Sequence, residues 1–585
     1  MSPLHSVSQD GDGLLDGFED GFREDDLAVA ESDPQGDPCD VRGSRIPGPI
    51  DVLVRYALGA IFAVAFLTML LFATRLDYAC SREFLLPNWL MSAVGLTAVL
   101  LLAALFSGKL GERLGGWLAS RQRGVDLAVM AATLALLGAQ LLLSRSYVFV
   151  SGWDSGCIAY SSWSLALGQG FDVRYYSTYP NNLLLLRLAQ VCMAISVRLG
   201  ATTPEGGVYL FSILNCFSCA LAMWLTYWVL SRVTSAAWGL VGWFLFVLLI
   251  WTSPWVVILY SDAIMVSVPP LLAALVVAAR RSSGIRSSAL YAAFGLIVYA
   301  AYRIKPQMIF ILLSMVGFAL VGAVTSWRGT KGVRPLARVG RGLVPLVSLA
   351  VGLACSYALV NVSTEGLSAQ LDPNRQFGVA HYLMMGLSPE SKGVYAPGDV
   401  NHSAALPDVE SRTKYDLEIA RSRVLEYGPI GLADLMLKKL MTNFNDGSFA
   451  WGMEGHFFAE GHYGNSPFAP LTRSLYYDSG SRYRKWLTYA QGVWVTVFSL
   501  CLPALLDRRG SRRRARQARS SAYVGMDESM QVLALMALSL LMLTAFEQIF
   551  EARARYFYAF VTYFIMIATM GIRVIRQRIA ALRSA

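Results

Sequence analysis

Thirteen stretches of about 20 mostly apolar residues constrain what this chain can fold into more than any other feature of its sequence. A helix needs roughly 20 such residues to cross the hydrocarbon core of a membrane. Hydrophobic residues make up 55% of the chain and charged residues 15%, which leaves too little polar surface for several water-soluble domains. We therefore predict an all-α polytopic membrane protein. The stretches are 52–74, 88–107, 125–144, 181–199, 208–230, 236–257, 262–280, 289–304, 307–326, 343–360, 487–506, 529–548 and 556–574.

Arg-rich loops orient these helices, because the cytoplasmic loops of membrane proteins are enriched in Lys and Arg. We expect the loops 108–124, 327–342 and 507–520 and the C-terminal end on the cytoplasmic side. Strict alternation satisfies all of them only if segment 181–199 does not cross. That segment contains Arg187 among its leucines, which suits a helix lying along the outer membrane surface. The sequence thus predicts about twelve spans, with both termini inside.

The same topology divides the chain into regions. Residues 1–50 carry twelve Asp and Glu against three Arg, which is typical of a disordered acidic tail. The net charge of +10 therefore belongs to membrane loops, and it indicates a lipid bilayer and no nucleic acid as partner. In the long polar stretch 361–486 we expect short helices with some strand. The predicted regions are a cytoplasmic tail at 1–50, a two-span hairpin at 51–124, a core at 125–360 with a first outer loop at 145–207, an extracytoplasmic domain at 361–486, and C-terminal spans at 487–585 with the Arg-rich cytoplasmic loop 507–520.

The first outer loop contains the most informative motif, Gly152-Trp-Asp154-Ser-Gly156. A carboxylate just past the outer end of a span could act as a general base at the membrane surface, and the two glycines would leave room for an acceptor. The alternative is that Asp154 only caps a short helix at 155–168. Further candidates for binding a substrate in this loop are Asp172, Arg174, Tyr176, Tyr179, Asn181 and Asn182.

Charged residues at the ends of later spans fall on the same predicted face. Each has a simpler explanation when taken alone. Asp262 could cap a helix, the long basic side chains could extend to lipid headgroups, and Glu551 could pair with Arg555 at helical spacing. Together they describe a site for an anionic lipid. These residues are Asp262 between two spans, Arg303 and Lys305 at the outer end of another span, and Glu551, Arg553 and Arg555 in the last outer loop.

From about residue 125 to 330 and again at 529–575, the arrangement resembles the GT-C superfamily of polyprenyl-phosphate-sugar glycosyltransferases, of the protein mannosyltransferase and aminoarabinose transferase type. In this resemblance Asp154 matches the loop acid of the family, while 155–168 and 181–199 match its two surface helices. The resemblance thus implies independently that 181–199 does not cross.

The last outer loop, Glu547–Tyr556, is similar to the Glu-x-Arg-Tyr signature near the last spans of many GT-C enzymes, with Arg553 and Arg555 as its basic members. One departure is that many relatives carry a paired Asp-Glu where this chain has Asp154-Ser155. No cofactor is therefore certain, and a divalent cation, Mg²⁺ or Mn²⁺, is left open.

The resemblance implies that the chain moves a hexose or pentose from a polyprenyl-phosphate donor to a glycan or protein acceptor on the extracytoplasmic face, with inversion. Asp154 would take the proton of the acceptor hydroxyl. Basic side chains would hold the donor phosphate and stabilise the charge that develops on it. The predicted phosphate ligands are Arg303, Lys305, Arg553 and Arg555.

Two other classes of protein share part of this pattern. A polysaccharide polymerase or ligase would also have about twelve spans and a basic outer face. A lipid-linked-sugar transporter, or flippase, would need broken helices in the membrane, for which Pro269-Pro270 is the one hint.

The histidines of the outer region are weak candidates for metal ligands. Glu454-Gly-His456 and Glu460-Gly-His462, with His381 and His402 in the same region, match no standard zinc spacing. A surface loop is the better interpretation of these residues.

Overall fold

The computed structural model describes residues 48–72, 84–329, 335–453, 457, 466–507 and 528–584. Within these residues every regular element is a helix, which confirms the predicted all-α class. The described part holds eleven helices long and apolar enough to span a membrane and two shorter apolar helices, and these coincide with the thirteen predicted stretches. The predicted tail and the Arg-rich loop lie almost wholly outside the described residues.

The first half of the chain supplies twelve helices. They are α1 (Gly48–Leu71), α2 (Asn88–Leu105), α3 (Lys109–Ser120), α4 (Gln122–Ser144), α5 (Trp153–Ala166), α6 (Val173–Thr178), α7 (Leu183–Arg198), α8 (Glu205–Val233), α9 (Ala236–Phe246), α10 (Ser261–Ile264), α11 (Val268–Arg280) and α12 (Gly284–Ile304).

The second half supplies the remaining helices of the described part. They are α13 (Ile309–Gly329), α14 (Pro335–Ser368), α15 (Val379–Gly386), α16 (Pro397–Ala405), α17 (Val409–Phe444), α18 (Ala469–Tyr476), α19 (Tyr483–Leu505), α20 (Glu528–Ile549) and α21 (Val561–Ser584).

One connected apolar core joins the first helix to the last ones. The ring of Phe62 in α1 stacks on Phe564 in α21 at 5.5 Å and lies 4.7 Å from Phe498 in α19. Phe444, at the end of α17, packs against the same rings. All four side chains are fully buried. The N-terminal hairpin therefore packs into the core of the membrane helices.

Two predicted spans are interrupted where the sequence contains proline. The stretch predicted at 236–257 is helical only to Trp251, and residues 254–257 form a 3-10 turn that starts at Pro254. Asn215 in α8 donates to the carbonyls of Val256 and Ile258, both at 2.9 Å. A buried side chain thus satisfies backbone groups that no helix satisfies, which is how irregular backbone is tolerated at membrane depth.

The second interruption separates α10 from α11. Pro269 and Pro270 lie in the first turn of α11, where their missing N–H groups would be unbonded in any helix. The two prolines therefore begin a helix and do not break one in its middle.

Helix α7 packs against α5, α8 and α14. By length and hydropathy Pro180–Arg198 would suffice to span a membrane, so its placement on the outer surface stays a prediction. Two of its polar side chains are satisfied within the protein: Arg187 donates to Gln190 at 2.8 Å and to the carbonyl of Ser363 at 2.9 Å.

The described part of the 361–486 region consists of helices joined by irregular segments, and it does not contain the expected strand. Its longest element, α17, has 36 residues and kinks at Gly428, whose φ of 56° is readily adopted only by glycine. Pro429 follows, and it excludes the residue before it from the helical conformation. The second half of α17 then leads back to the membrane core.

A buried polar cluster anchors that return. Asn445 accepts from Asn88 at 2.7 Å and from Gln491 at 3.0 Å, and Gln491 also donates to Asn88. The cluster joins α2, the end of α17 and α19. It fixes the 361–486 region to membrane helices on both sides of it in sequence.

Candidate functional site

A cavity of about 780 Å³ lies where the first outer loop, the 361–486 region and the ends of four helices meet. Small-molecule sites in proteins are usually concave and of roughly 300–1,000 Å³. A smaller cavity of about 220 Å³, lined among others by Arg55 and Arg573, contains none of the predicted site residues. The predicted residues that line the large cavity are Asp154, Tyr179, Asn181, Asn182, Lys305, Glu551, Arg553 and Arg555.

Asp154 lies in the first turn of α5, but its side chain does not cap that helix. The N-cap is Gly152, which provides no side-chain bond. The carboxylate of Asp154 instead accepts a hydrogen bond from the hydroxyl of Tyr260 at 3.0 Å. The adjacent Trp153 has a φ of 45°, a strained value for a residue with a bulky side chain. The carboxylate is thus held by tertiary contacts at the cavity wall.

The glycines beside Asp154 serve close packing and do not create room for an acceptor. A Cβ at Gly152 would lie 2.3 Å from the ring of Phe457, and one at Gly156 would lie 2.6 Å from the carbonyl oxygen of Ser151. The sequence interpretation of these two positions was therefore wrong. Space for a ligand lies instead on the cavity side of Asp154.

Two tyrosines surround the carboxylate of Asp154. The pKa of Tyr175 is raised well above its ordinary value, first by burial and then by the negative charge of Asp154. Burial and the same charge also raise the pKa of Tyr260. Both hydroxyls therefore stay protonated and can donate, and Asn182 donates to the Tyr175 oxygen at 2.8 Å.

Arg555 lies against three aromatic rings at the centre of the site. Its guanidinium carbon is 4.3 Å from the ring centroid of Trp153, 5.1 Å from that of Tyr260 and 5.4 Å from that of Tyr556. Such contacts stabilise a buried cation without neutralising its charge. Arg555 is 8% exposed, and its Nε has no hydrogen-bond partner among the described residues.

Arg553 resembles Arg555 in its burial and in its unused hydrogen-bond donor. It is also 8% exposed, it lines the cavity, and its Nε likewise has no partner in the part of the chain that the structure describes. Buried guanidinium groups with unused donors are costly unless an acceptor completes them. Planar N–H donors match a phosphate or a carboxylate, so an anion in the cavity would complete the hydrogen bonding of both groups.

Lys305 lines the cavity but already has a carboxylate partner. Its ammonium lies 2.6 Å from Asp262, and both side chains are almost fully buried. Asp262 does not line the cavity. Arg303 lies outside the cavity too, where its guanidinium reaches the hydroxyl of Tyr299 at 3.4 Å. Of the four predicted phosphate ligands, the structure brings three to one cavity, and two of these, Arg553 and Arg555, form no ion pair within 4 Å in the described part of the chain.

Glu551 faces the cavity from the last loop. It accepts from the hydroxyl of Tyr556 at 2.9 Å. The alternative role, an ion pair with Arg555, is not formed within 4 Å among the described residues. Residues 551–553 are not helical, so helical spacing does not apply there. Burial raises the pKa of Glu551, while Arg553 and Arg555 oppose that rise.

Three predicted residues of the first outer loop lie outside the cavity. Asp172 is exposed and caps α6 by accepting from the backbone N–H of Tyr175 at 3.0 Å. Arg174 is exposed on the same short helix. Tyr176 is fully buried beneath it.

Sequence reasoning missed residues that the 361–486 region brings to the cavity. His381 is not in a surface loop: it lies in α15, is 1% exposed and lines the cavity together with Tyr382 and Tyr395. His402 is exposed, while His456 and His462 lie outside the described residues. Among the residues that the structure describes, no three His, Cys, Asp or Glu side chains converge to hold a metal ion.

Lys439 is a second residue that the sequence did not single out. Its buried ammonium donates to the carbonyls of Gly386, Gln548 and Phe550 at 2.6 to 3.0 Å. Burial lowers its pKa to about 8. A lone lysine in a polar helix has no sequence signal for such a role. It ties α17 to the loop that carries the two cavity arginines.

Comparison with solved structures gives only distant likeness. The archaeal oligosaccharyltransferase AglB from Archaeoglobus fulgidus, in complex with an inhibitory peptide and a dolichol-phosphate, matches at 12% identity and a TM-score of 0.34 over 77% of this chain and 51% of that one. The oligosaccharyltransferase of the same organism, tethered to an acceptor peptide containing the NVT sequon, matches at 12% and 0.34 over 77% and 50%. This chain spans about half the length of these proteins, and similarity this low carries no inference.

Comparison by sequence gives one result that covers most of the chain. No curated protein matches it significantly. Residues 52–574, however, match a family model described as conserved hypothetical integral membrane protein. This match includes the described spans from α1 to α21 and every residue of the cavity named above. The chain therefore belongs to this family of integral membrane proteins.

Proposed function

We propose that the protein is a membrane glycosyltransferase that moves a sugar from a polyprenyl-phosphate donor to an acceptor hydroxyl at the extracytoplasmic face. The observation that carries this proposal is one cavity at the helix ends that contains both the Asp154 carboxylate and the guanidinium groups of Arg553 and Arg555. One group can accept a proton, and the other two can hold a phosphate.

The donor site follows from the two arginines. A polyprenyl phosphate keeps its tail in the bilayer and its phosphate at the depth of the helix ends. Arg553 and Arg555 carry unused donors and no acidic partner in the described part, so a phosphate would complete their hydrogen bonding. Their positive charge would also stabilise the leaving phosphate as it gains charge.

The reaction uses Asp154 as general base. The acceptor oxygen attacks the anomeric carbon while its proton passes to the Asp154 carboxylate. The bond between the anomeric carbon and the phosphate oxygen breaks, and its electron pair leaves with the polyprenyl phosphate. Attack opposite the leaving group inverts the anomeric centre. The hydrogen bond from Tyr260 at 3.0 Å holds the carboxylate in place for this transfer.

The decisive experiment compares wild type with Asp154→Asn on a panel of polyprenyl-phosphate-linked hexoses and pentoses in proteoliposomes, with glycan and peptide acceptors, with and without Mg²⁺ or Mn²⁺. The amide cannot take the proton, so turnover should fall by a factor of about 10² to 10⁴. Donor binding should persist, because the arginines are intact.

Asp172→Asn is the matched control. This residue lies in the same loop but is exposed, caps α6 and does not line the cavity. Asn also caps helices well, so this variant should keep wild-type turnover. Near wild-type turnover by Asp154→Asn would contradict the assignment of the base. Absence of sugar transfer from every donor by wild-type protein would contradict the proposed function itself.

A further inference from the structure

A buried histidine forms part of the cavity wall, far in sequence from Asp154 and from the two cavity arginines. His381 lies in α15 of the 361–486 region, and its ring stacks on Phe377 with centroids 3.8 Å apart and planes at 21°. Phe377 in turn packs edge-on against Tyr179 of the first outer loop at 5.6 Å. All three residues line the cavity and form a continuous aromatic wall, which we call the His381 wall.

A chain of hydrogen bonds fixes the imidazole from behind. Its Nδ1 lies 2.9 Å from the hydroxyl of Ser403, and that hydroxyl donates to Asp416 at 2.5 Å. Ser403 and Asp416 are buried as well. Ser403 stands between the histidine and the acid, whereas a hydrolytic triad has the histidine in the middle. The arrangement therefore positions an imidazole and does not activate a nucleophile.

The order of the bonds sets the tautomer of His381. When Asp416 is ionised, the single proton of the Ser403 hydroxyl points to its carboxylate, and the serine oxygen then accepts from Nδ1–H. A neutral imidazole with its proton on Nδ1 presents Nε2 as an acceptor. No protein group in the described part of the chain bonds Nε2, and Nε2 is not among the fully enclosed polar atoms that lack a partner. Its lone pair is therefore left for a ligand in the cavity.

The His381 wall differs in chemistry from the arginine side of the cavity. It offers aromatic rings and one neutral acceptor, and none of its three side chains is positively charged. The Phe377 ring is itself covered in part by His381, which stacks on it, and by the Arg412 guanidinium at 5.6 Å. The loop 372–377 that supports it is fixed by Arg412, which donates to the carbonyls of Asn374 and Gln376. A backbone bond from Phe377 to Thr178 at 3.3 Å joins it to the first outer loop.

We propose that the His381 wall binds the sugar ring of the donor, with Nε2 of His381 accepting a hydrogen bond from a sugar hydroxyl. This inference rests on the proposed function, because it assigns the sugar end of a donor whose phosphate lies at Arg553 and Arg555. Apolar ring faces stack on aromatic side chains, and a positioned acceptor rejects an analogue that lacks the matching hydroxyl.

Two substitutions of His381 separate binding from folding. His381→Asn keeps an amide near the position of Nδ1 for Ser403 and removes the Nε2 acceptor. His381→Gln can place its carbonyl near the position of Nε2. Binding to full-length protein in nanodiscs would be measured for undecaprenyl phosphate alone and for undecaprenyl phosphate bearing mannose, glucose or arabinose.

We expect His381→Asn to lose affinity for sugar-bearing lipids and not for undecaprenyl phosphate. His381→Asn should weaken binding of at least one sugar-bearing lipid about three- to tenfold, the value of one neutral hydrogen bond, and leave undecaprenyl phosphate unaffected. His381→Gln should restore part of the loss. Equal loss for lipids with and without sugar, or no loss at all, would overturn this inference while the proposed function stands. Failure of wild type to bind any of the lipids would overturn both.

The tautomer can be tested without any ligand. The chain contains five histidines, so ¹⁵N-histidine spectra compared with those of His381→Asn would assign the His381 signals. We expect a protonated Nδ1 and an unprotonated Nε2 near neutral pH. A proton on Nε2 would overturn the acceptor role whatever lipid the protein binds.

Discussion

The proposed phosphate site consists of two cavity arginines, Arg553 and Arg555, and not of all four cations at the helix ends. Four cations share one predicted face, but Lys305 pairs with Asp262 and Arg303 lies outside the cavity. Sequence can place a residue at the end of a span, because spans have a fixed length. It cannot tell which cation meets an acid that is 43 positions away, since that depends on how two helices pack.

Arg555→Gln should weaken binding of undecaprenyl phosphate about tenfold or more, since a charge-assisted hydrogen bond contributes about 1.5–3 kcal/mol. Arg174→Gln is the matched control, because Arg174 is exposed and does not line the cavity. Binding would be measured on protein in nanodiscs. Equal affinities of the two variants would place the phosphate elsewhere.

His381 should make stability depend on pH. Burial lowers its pKa to about 4, whereas an unfolded histidine titrates near 6.5. Below pH 6.5 the unfolded chain binds the proton more readily, so stability falls as the pH drops from about 6.5 to 4. The charged groups around the ring are Asp416, behind Ser403, and Asp399 and Arg412, whose effects on the His381 pKa are opposite and smaller than that of burial.

The expected loss between pH 7.5 and 4.5 is about 2–3 kcal/mol, on the order of two pKa units. Thermal unfolding at the two pH values would show it as a larger shift in wild type than in His381→Asn. His402→Asn, an exposed histidine on α16, should retain the wild-type shift. The same shift in wild type and His381→Asn would show that other groups cause the acid sensitivity.

Among the helices, α7 has the most specific predicted position. The sequence places it on the outer membrane surface, and this placement stays a prediction. Pro180–Arg198 is apolar enough to cross, yet alternation of the basic loops requires that it does not. Other element boundaries follow local chemistry. The start of α11 is fixed by Pro269 and Pro270. In the 361–486 region the sequence predicted short helices but not the 36 residues of α17, and the expected strand is absent from the described part.

Cysteines introduced at positions 170 and 203, one on each side of α7, should react with a membrane-impermeant maleimide from the same outer side. Both positions are exposed in the structure. A cysteine at Ser120, exposed at the end of α3, is the control and should react only after the membrane is permeabilised, since loop 108–124 is predicted inside. If 170 and 203 were labelled from opposite sides, α7 would cross the membrane. The chain would then have one more span, and the predicted orientation of half of its helices would be reversed.

At the scale of the whole molecule, the cavity is assembled from segments that the sequence keeps far apart. Counting spans predicts that Asp154 and Arg555 share a face, and the structure brings both to one cavity. The His381 wall was not predictable in this way, because its position depends on how the 361–486 region folds back. The Asn88, Asn445 and Gln491 cluster and the Lys439 contacts determine that return.

Lys439→Met should therefore affect both stability and donor binding. It leaves one buried and two partly buried carbonyls without their donor, which costs on the order of 1–3 kcal/mol, and it frees the loop before Arg553. Lys438→Met is the control, because Lys438 pairs with Asp434 on the surface, where such pairs contribute little. Thermal unfolding and undecaprenyl phosphate binding would be measured together. Unchanged donor binding by Lys439→Met would limit Lys439 to a structural role.

The aromatic rings around Arg555 also determine when the site can form during synthesis of the chain. Trp153 and Tyr260 are synthesised long before the arginine that their rings enclose. At rates of about 5–20 residues per second, the ribosome needs roughly 20–80 s to travel from Asp154 to Arg555. During that interval the nascent chain holds the predicted base without its anion site. If the proposed function holds, sugar transfer begins only when the last two helices have entered the membrane, and incomplete chains are inactive.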